Sequence, residues 1–291
     1  MKIPELKGCG TALVTPFLKD GDVDYDAYTT LVERQVAEGV DFLVPLGTTA
    51  ETPTLDPMER VALLEIAHDC RDGRPLLVGC GSNSVRGTLA NMQLLESSGV
   101  DAWLVVVPFY NKPTQEGMYQ YFKTIAAEST KPVVMYNVPG RTGVNMLPET
   151  AIRIAREVPG IIGIKEASGK LEQARAIVEG APSDFIVLSG DDDKTLDMMK
   201  DGARGVISVA SNILPGKVSA MTHAALEGRW EDAAAQNEAL KPLYKACFVE
   251  SNPIPAKAAL SLLGYCSDMM RLPLVPASQS TYAQMKEVLG V

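Results

Sequence analysis

Eight short apolar runs rich in β-branched residues recur along this chain, at residues 10–14, 42–46, 75–78, 102–107, 132–136, 161–164, 185–188 and 205–209. Their starts lie roughly 20 to 34 residues apart, the length one strand and its return helix occupy. Most are apolar at successive positions. A strand with one wet face alternates instead, so these runs fit parallel strands covered on both faces.

The intervening stretches carry helical period. Asp24 stands as an N-cap before a stripe of Tyr28, Leu31, Val32 and Val36 that stops at Gly39. Asp56-Pro57-Met58-Glu59 has a capping side chain, Pro at the first helical position and Glu three residues after the cap. Eight strands alternating with helices predict an α/β fold, a (β/α)8 TIM barrel over residues 1–225. A doubly wound sheet is the competing arrangement. Beyond residue 212 the strand pattern ends, and helical segments near 215–226, 230–248, 256–263 and 278–289 predict a C-terminal helical domain over residues 226–291.

Composition bounds the chemistry. The 27 basic and 36 acidic side chains give a formal net charge of −9 and form no clustered basic run, which argues against a nucleic-acid or anionic-membrane partner. The only histidines are His68 and His223, too few for a His-ligated metal site. Five cysteines without a C-x-x-C pair fit reduced thiols. The segment Met1–Lys7 has no long apolar stretch and reads as no signal peptide, and the longest strongly apolar run, 102–108, is strand-sized. A cytoplasmic enzyme is the expectation.

In such a barrel the site forms at the C-terminal strand ends. There stand Gly47-Thr48-Thr49-Ala50-Glu51, Phe109-Tyr110, Tyr136 through Gly143, Lys165-Glu166 and Ser189-Gly190-Asp191-Asp192-Asp193. Lys165 follows a central strand directly; desolvation there lowers its pKa, which an amine needs to form a Schiff base near neutral pH. Taken alone, a lysine that snorkels out or pairs with a carboxylate is the simpler account. Tyr136, at the end of the preceding strand, changes the weighing, because a phenol beside such an amine can relay protons. Thr48 and Thr49 can hold a carboxylate or merely form a polar turn; Arg141 can bind a second carboxylate or stand free on the surface. The aspartate run 191–193 reads as a helix cap, Met198-Met199 and Met269-Met270 as packing, and the two Gly-Cys-Gly triplets as too short for a dinucleotide fingerprint.

Gly47-Thr48-Thr49-Ala50-Glu51, Tyr136-Asn137-Val138-Pro139-Gly140-Arg141-Thr142-Gly143, Ile162-Gly163-Ile164-Lys165-Glu166 and Asn252-Pro253-Ile254-Pro255-Ala256-Lys257 together resemble the pyruvate-dependent class I aldolases of the dihydrodipicolinate synthase / N-acetylneuraminate lyase family. The similarity runs over nearly the whole chain and is nearest to the synthase branch. It implies condensation of pyruvate with L-aspartate 4-semialdehyde in lysine and diaminopimelate biosynthesis, without a cofactor or metal. Lys165 would form the Schiff base, and Thr48 and Thr49 would hold the pyruvate carboxylate. Tyr136, Thr48 and Tyr110 would form the proton relay, Tyr110 reaching across a dimer interface. Arg141 would bind the semialdehyde carboxylate, with backbone groups at Gly190 and Ile207 lining the pocket. A homotetramer made of two tight dimers is expected.

Arg141 and Tyr110 favour the synthase branch over a sugar-acid lyase such as a 2-keto-3-deoxy-gluconate or N-acetylneuraminate lyase. A different class, a non-catalytic barrel that senses 2-oxo acids, has no need for an amine backed by hydroxyls. Three departures from the family stand out. Ala50 replaces a glycine and would be strained if that position has positive φ. Phe109 replaces a tyrosine. Pro57, Arg60 and Gly87 stand where feedback-inhibited members have His, His and Glu, while Asn83 matches, which predicts weak or absent inhibition by L-lysine.

Overall fold

All eight apolar runs are strands in the computed structural model, which describes residues 3–291. They are β1 Gly8–Ala12, β2 Phe42–Val44, β3 Leu77–Gly79, β4 Ala102–Val106, β5 Val133–Asn137, β6 Ile161–Glu166, β7 Ile186–Ser189 and β8 Gly205–Ser208. Met1 and Lys2, the start of the segment read as carrying no signal peptide, lie outside the described residues. No helix among the described residues is long and apolar enough to cross a membrane.

The strands pair in parallel in the order β2-β1-β8-β7-β6-β5-β4-β3. A parallel bridge between Leu43 and Leu76, with the Gly79 N–H donating to Pro45 O at 3.0 Å, joins the two ends of this order. The sheet therefore closes, and the doubly wound alternative falls.

Side chains divide by parity along each strand. Phe42, Val44, Leu77, Leu104, Val134, Tyr136, Leu188 and Ile207 share one buried cluster inside the barrel. Leu43, Val78, Trp103, Val105, Val133, Met135, Val187 and Val206 belong to the layer between strands and helices. This double covering is why the runs are apolar at successive positions. The Met198-Met199 pair is buried in that outer layer, as packing predicts.

The helix caps follow the sequence signals. Asp24 accepts from the Ala27 N–H at the start of Tyr25–Ala37, and Gly39 just beyond that helix has φ +83°, open to glycine at little cost. The Asp56 and Glu59 side chains form a reciprocal capping box opening Pro57–Cys70. After the last strand come helices Pro215–Leu226, Trp230–Ala246, Ile254–Leu262 and Gln279–Leu289.

One expectation is corrected. The aspartate run does not cap its own helix: no Asp191 cap bond forms, and Asp192 instead accepts the N–H groups of Val209 and Ala210 at 3.0 and 3.1 Å. Two orphan donors beyond the end of β8 compete successfully for that carboxylate.

Candidate active site

Lys165 lies within β6 and not after it, because the strand continues for two residues that pair with Tyr136 and Asn137. Its direction depends on an irregularity. Val133 pairs with Ile161, but the next residue on β5, Val134, pairs with Gly163, so β6 carries one extra residue. Ile161 and Ile164 both join the outer layer although three positions apart, and Lys165 then turns inward beside Tyr136. Side chains alternate with period two, so without the extra residue Lys165 would face the helices.

The Lys165 Nζ stands 4.4 Å from the centroid of the Tyr136 ring, and both residues are only 7% exposed. Among the described residues, this ammonium has no hydrogen-bonded carboxylate. Burial lowers its pKa to about 8, against the attraction of Asp191 and Asp192 and with help from Arg141. Asp191 in turn is raised to about 6 by burial, opposed chiefly by Lys165. Burial pushes the Tyr136 phenol up to about 12, with the Arg141 charge and the nearby Thr48 hydroxyl acting against it. The site thus holds a loosened amine beside a neutral phenol.

Glu166, one residue on, faces the other way. Its carboxylate accepts from Asn137 Nδ2 at 2.9 Å, Gln173 Nε2 at 3.1 Å and the Ser168 N–H at 2.7 Å. These bonds fix the end of β6 and so the root of Lys165.

Thr48–Ala50 forms a single 3-10 turn after Gly47. Ala50 does not have positive φ; the left-handed residues are its neighbours Leu46 at +57° and Glu51 at +54°, so the strain foreseen at Ala50 does not arise. Thr49 is buried, and its Oγ1 accepts from Asn252 Nδ2 at 2.9 Å, which leaves its own proton free to donate. Arg141 sits on the one-turn helix Pro139–Thr142, exposed, with Nη2 donating to Asn252 O at 3.2 Å.

A cavity of about 480 Å³ opens among these residues and is lined by Thr48, Tyr136, Val138, Arg141, Phe109 and Arg60, among others. Thr48, Tyr136 and Arg141 thus meet in one space; Lys165 is outside its lining, with Nζ set against the Tyr136 ring. Thr49, Gly190 and Ile207 are outside its lining. At Gly190 an added Cβ would meet Ala167 Cβ at 2.5 Å and Lys165 Cε at 3.0 Å, so any side chain there would crowd both. Ile207 is fully buried inside the barrel. Tyr110 is 89% exposed with φ +74° and does not reach the cavity of its own chain.

Asn252 touches both Thr49 and Arg141, a role that the reading of the barrel ends alone missed. Its motif was visible, but the residue lies 203 positions from Thr49 and 111 from Arg141 along the chain.

The chain matches the dihydrodipicolinate synthetase family model over residues 5–290. The chain belongs to the dihydrodipicolinate synthetase family. Among this family's members it is 48% identical to the 4-hydroxy-tetrahydrodipicolinate synthase of Thermotoga neapolitana, over 97% of either chain. The crystal structure of the Thermotoga maritima dihydrodipicolinate synthase superposes with a TM-score of 0.96 at 45% identity, covering 98% of each chain. The chloride-inhibited dihydrodipicolinate synthase of Acinetobacter baumannii, solved with pyruvate, matches with a TM-score of 0.96 at 38% identity, again over 98% of each.

Proposed function

We propose that the chain condenses pyruvate with L-aspartate 4-semialdehyde, as the synthases of its family do, in the lysine and diaminopimelate route. The observation that carries this is a buried lysine with a pKa lowered to about 8 against a tyrosine ring, at the end of a barrel strand. Neutral Lys165 attacks the pyruvate ketone to give a carbinolamine. Loss of water, with protons passed by Tyr136, Thr48 and a partner's Tyr110, gives the iminium. A methyl proton leaves to form the enamine, whose carbon attacks the aldehyde of the second substrate. That substrate's amine then adds to the iminium carbon, closes the ring and expels the Lys165 amine. The iminium is the electron sink throughout, so the scheme calls on no further group.

Thr48 and Thr49 hold the pyruvate carboxylate in this reading, and Gly190 and Ile207 line the pocket through backbone groups. Arg141, exposed at the mouth and anchored on Asn252 O, supports binding of the semialdehyde's carboxylate. Arg141→Ala raises the KM for semialdehyde roughly 10- to 100-fold, the loss expected for a charge-assisted pair, while imine formation with pyruvate changes far less. Equal damage to both would remove Arg141 from this role.

The exposed, left-handed Tyr110 supports an assembly in which it enters a neighbour's site, a homotetramer of two tight dimers. Sedimentation of wild type and Tyr110→Phe, compared with activity, checks this; a fully active monomer would refute it. Residues 1–225 act as the barrel and 226–291 as the helical domain that lends it Asn252. Five free cysteines support a reducing cytoplasm. Arg60 lines the cavity with its guanidinium bound to the Leu55 and Thr52 carbonyls, which sets a fixed positive charge against a cationic effector. L-lysine therefore inhibits weakly or not at all, and a steep inhibition curve would contradict this.

The deciding assay compares turnover of pyruvate plus aspartate semialdehyde with cleavage of 2-keto-3-deoxy-gluconate and N-acetylneuraminate. Efficient cleavage of a sugar acid without semialdehyde turnover would overturn the assignment.

A further inference from the structure

Glu51 and Lys257 form an ion pair that the reaction scheme does not use. The Lys257 Nζ lies 2.8 Å from Glu51 Oε1, and both side chains are fully shielded from solvent. Glu51 is also the residue that ends the Thr48–Ala50 turn, in a left-handed conformation of φ +54° and ψ +32°. A glutamate holds that backbone only where its surroundings compel it. Three contacts do so here. Lys257 takes one carboxylate oxygen, the Arg271 N–H donates to the other at 3.2 Å, and the Thr15 hydroxyl donates to Ala50 O at 2.8 Å. Lys257 Nζ and the Arg271 guanidinium also both lie over the Phe17 ring, at 4.3 and 4.5 Å.

The same C-terminal segment grips the turn a second time. Asn252, five residues before Lys257, donates to Thr49 Oγ1. The segment entering helix Ile254–Leu262 thus holds the turn at its hydroxyl through Asn252, two residues before the helix starts, and the helix holds its end through Lys257. A turn of three residues has little stiffness of its own, so these outside contacts set where its hydroxyls point.

We propose that Glu51 and Lys257 are positioning residues for pyruvate: the buried pair locks the left-handed end of the turn and so aims Thr48 and Thr49 at the pyruvate carboxylate. This rests on the assignment of those threonines to pyruvate. It also makes the C-terminal helical segment a working part of the barrel's site.

The test measures the pyruvate concentration giving half-maximal borohydride trapping, together with the KM for each substrate, in Glu51→Gln, Lys257→Met and the double variant. Half-saturation by pyruvate rises roughly 10- to 100-fold in each, as a small misplacement of binding groups allows, while the semialdehyde KM moves less than about threefold. The double variant, which leaves no unpaired buried charge, recovers thermal stability without recovering pyruvate affinity, and Lys257→Arg recovers part of it. Should the single variants fold poorly, the double variant carries the measurement. Unchanged pyruvate half-saturation in a folded double variant, or equal rises for both substrates, would overturn the proposal. Failure of the wild-type enzyme to trap pyruvate at all would instead overturn the functional assignment beneath it.

Discussion

Two lysines are buried at this barrel's mouth, and their surroundings differ in one respect. Lys165 faces an aromatic ring 4.4 Å away and has Asp191 and Asp192 as nearby but unbonded charges. Lys257 also faces a ring, Phe17, at 4.3 Å, but it holds a carboxylate at 2.8 Å. Burial lowers the pKa of both, and at Lys257 the bonded Glu51 opposes the shift. An amine with a directly bonded carboxylate keeps its proton and its place; one without can give the proton up. Burial alone therefore does not make a nucleophile, and the missing partner is what distinguishes the two regions.

Substitution at each lysine should separate them most sharply. Lys165→Met lowers kcat by at least about 10³-fold, the scale for loss of a covalent nucleophile, with the fold intact by circular dichroism. It also raises stability. The folded pKa of about 8 lies below the unfolded 10.5, so protonation is disfavoured in the native state, a cost of about 3 kcal/mol below pH 8 that fades as pH rises to 10.5. Denaturant titration of this variant at pH 7 and pH 10 checks both sign and window. Lys257→Met does the opposite: it strands the Glu51 carboxylate in the interior and destabilises by about 3–5 kcal/mol. If both variants destabilised alike, the distinction between the two lysines would fail.

Smaller effects probe the Lys165 side alone. Tyr136→Phe reduces kcat by about 10²–10⁴-fold, as removal of a general acid–base group does, while pyruvate binding is largely kept. Asp191→Asn removes a charge that favours the ammonium, so the rising limb of the pH–rate profile, governed by Lys165 near pH 8, moves toward acid by less than about one unit. A shift toward base would show that Asp191 does not act on Lys165 through charge.

The barrel was legible because its signal is carried by composition at fixed intervals: a strand apolar on both faces needs no knowledge of its neighbours. Lys165 and Tyr136 were legible for the same reason, each standing at or near the end of such a run. The direction of Lys165 was not, because it depends on an extra residue in β6 that exists only relative to the β5 register. Nor was the partner of the aspartate run, since Asp192 bonds backbone donors after β8 and not those next to it. Ala50 shows the opposite failing. The substituted glycine position predicts strain at Ala50, while the left-handed conformation is at Glu51, where a buried ion pair sustains it.

The contrast between the two lysines can be tested in one measurement: incubation with pyruvate, reduction with borohydride, and mass mapping of the peptides. A single adduct is expected on Lys165, forming faster as pH rises through about 8. An adduct on Lys257 or another lysine, or none, would contradict it.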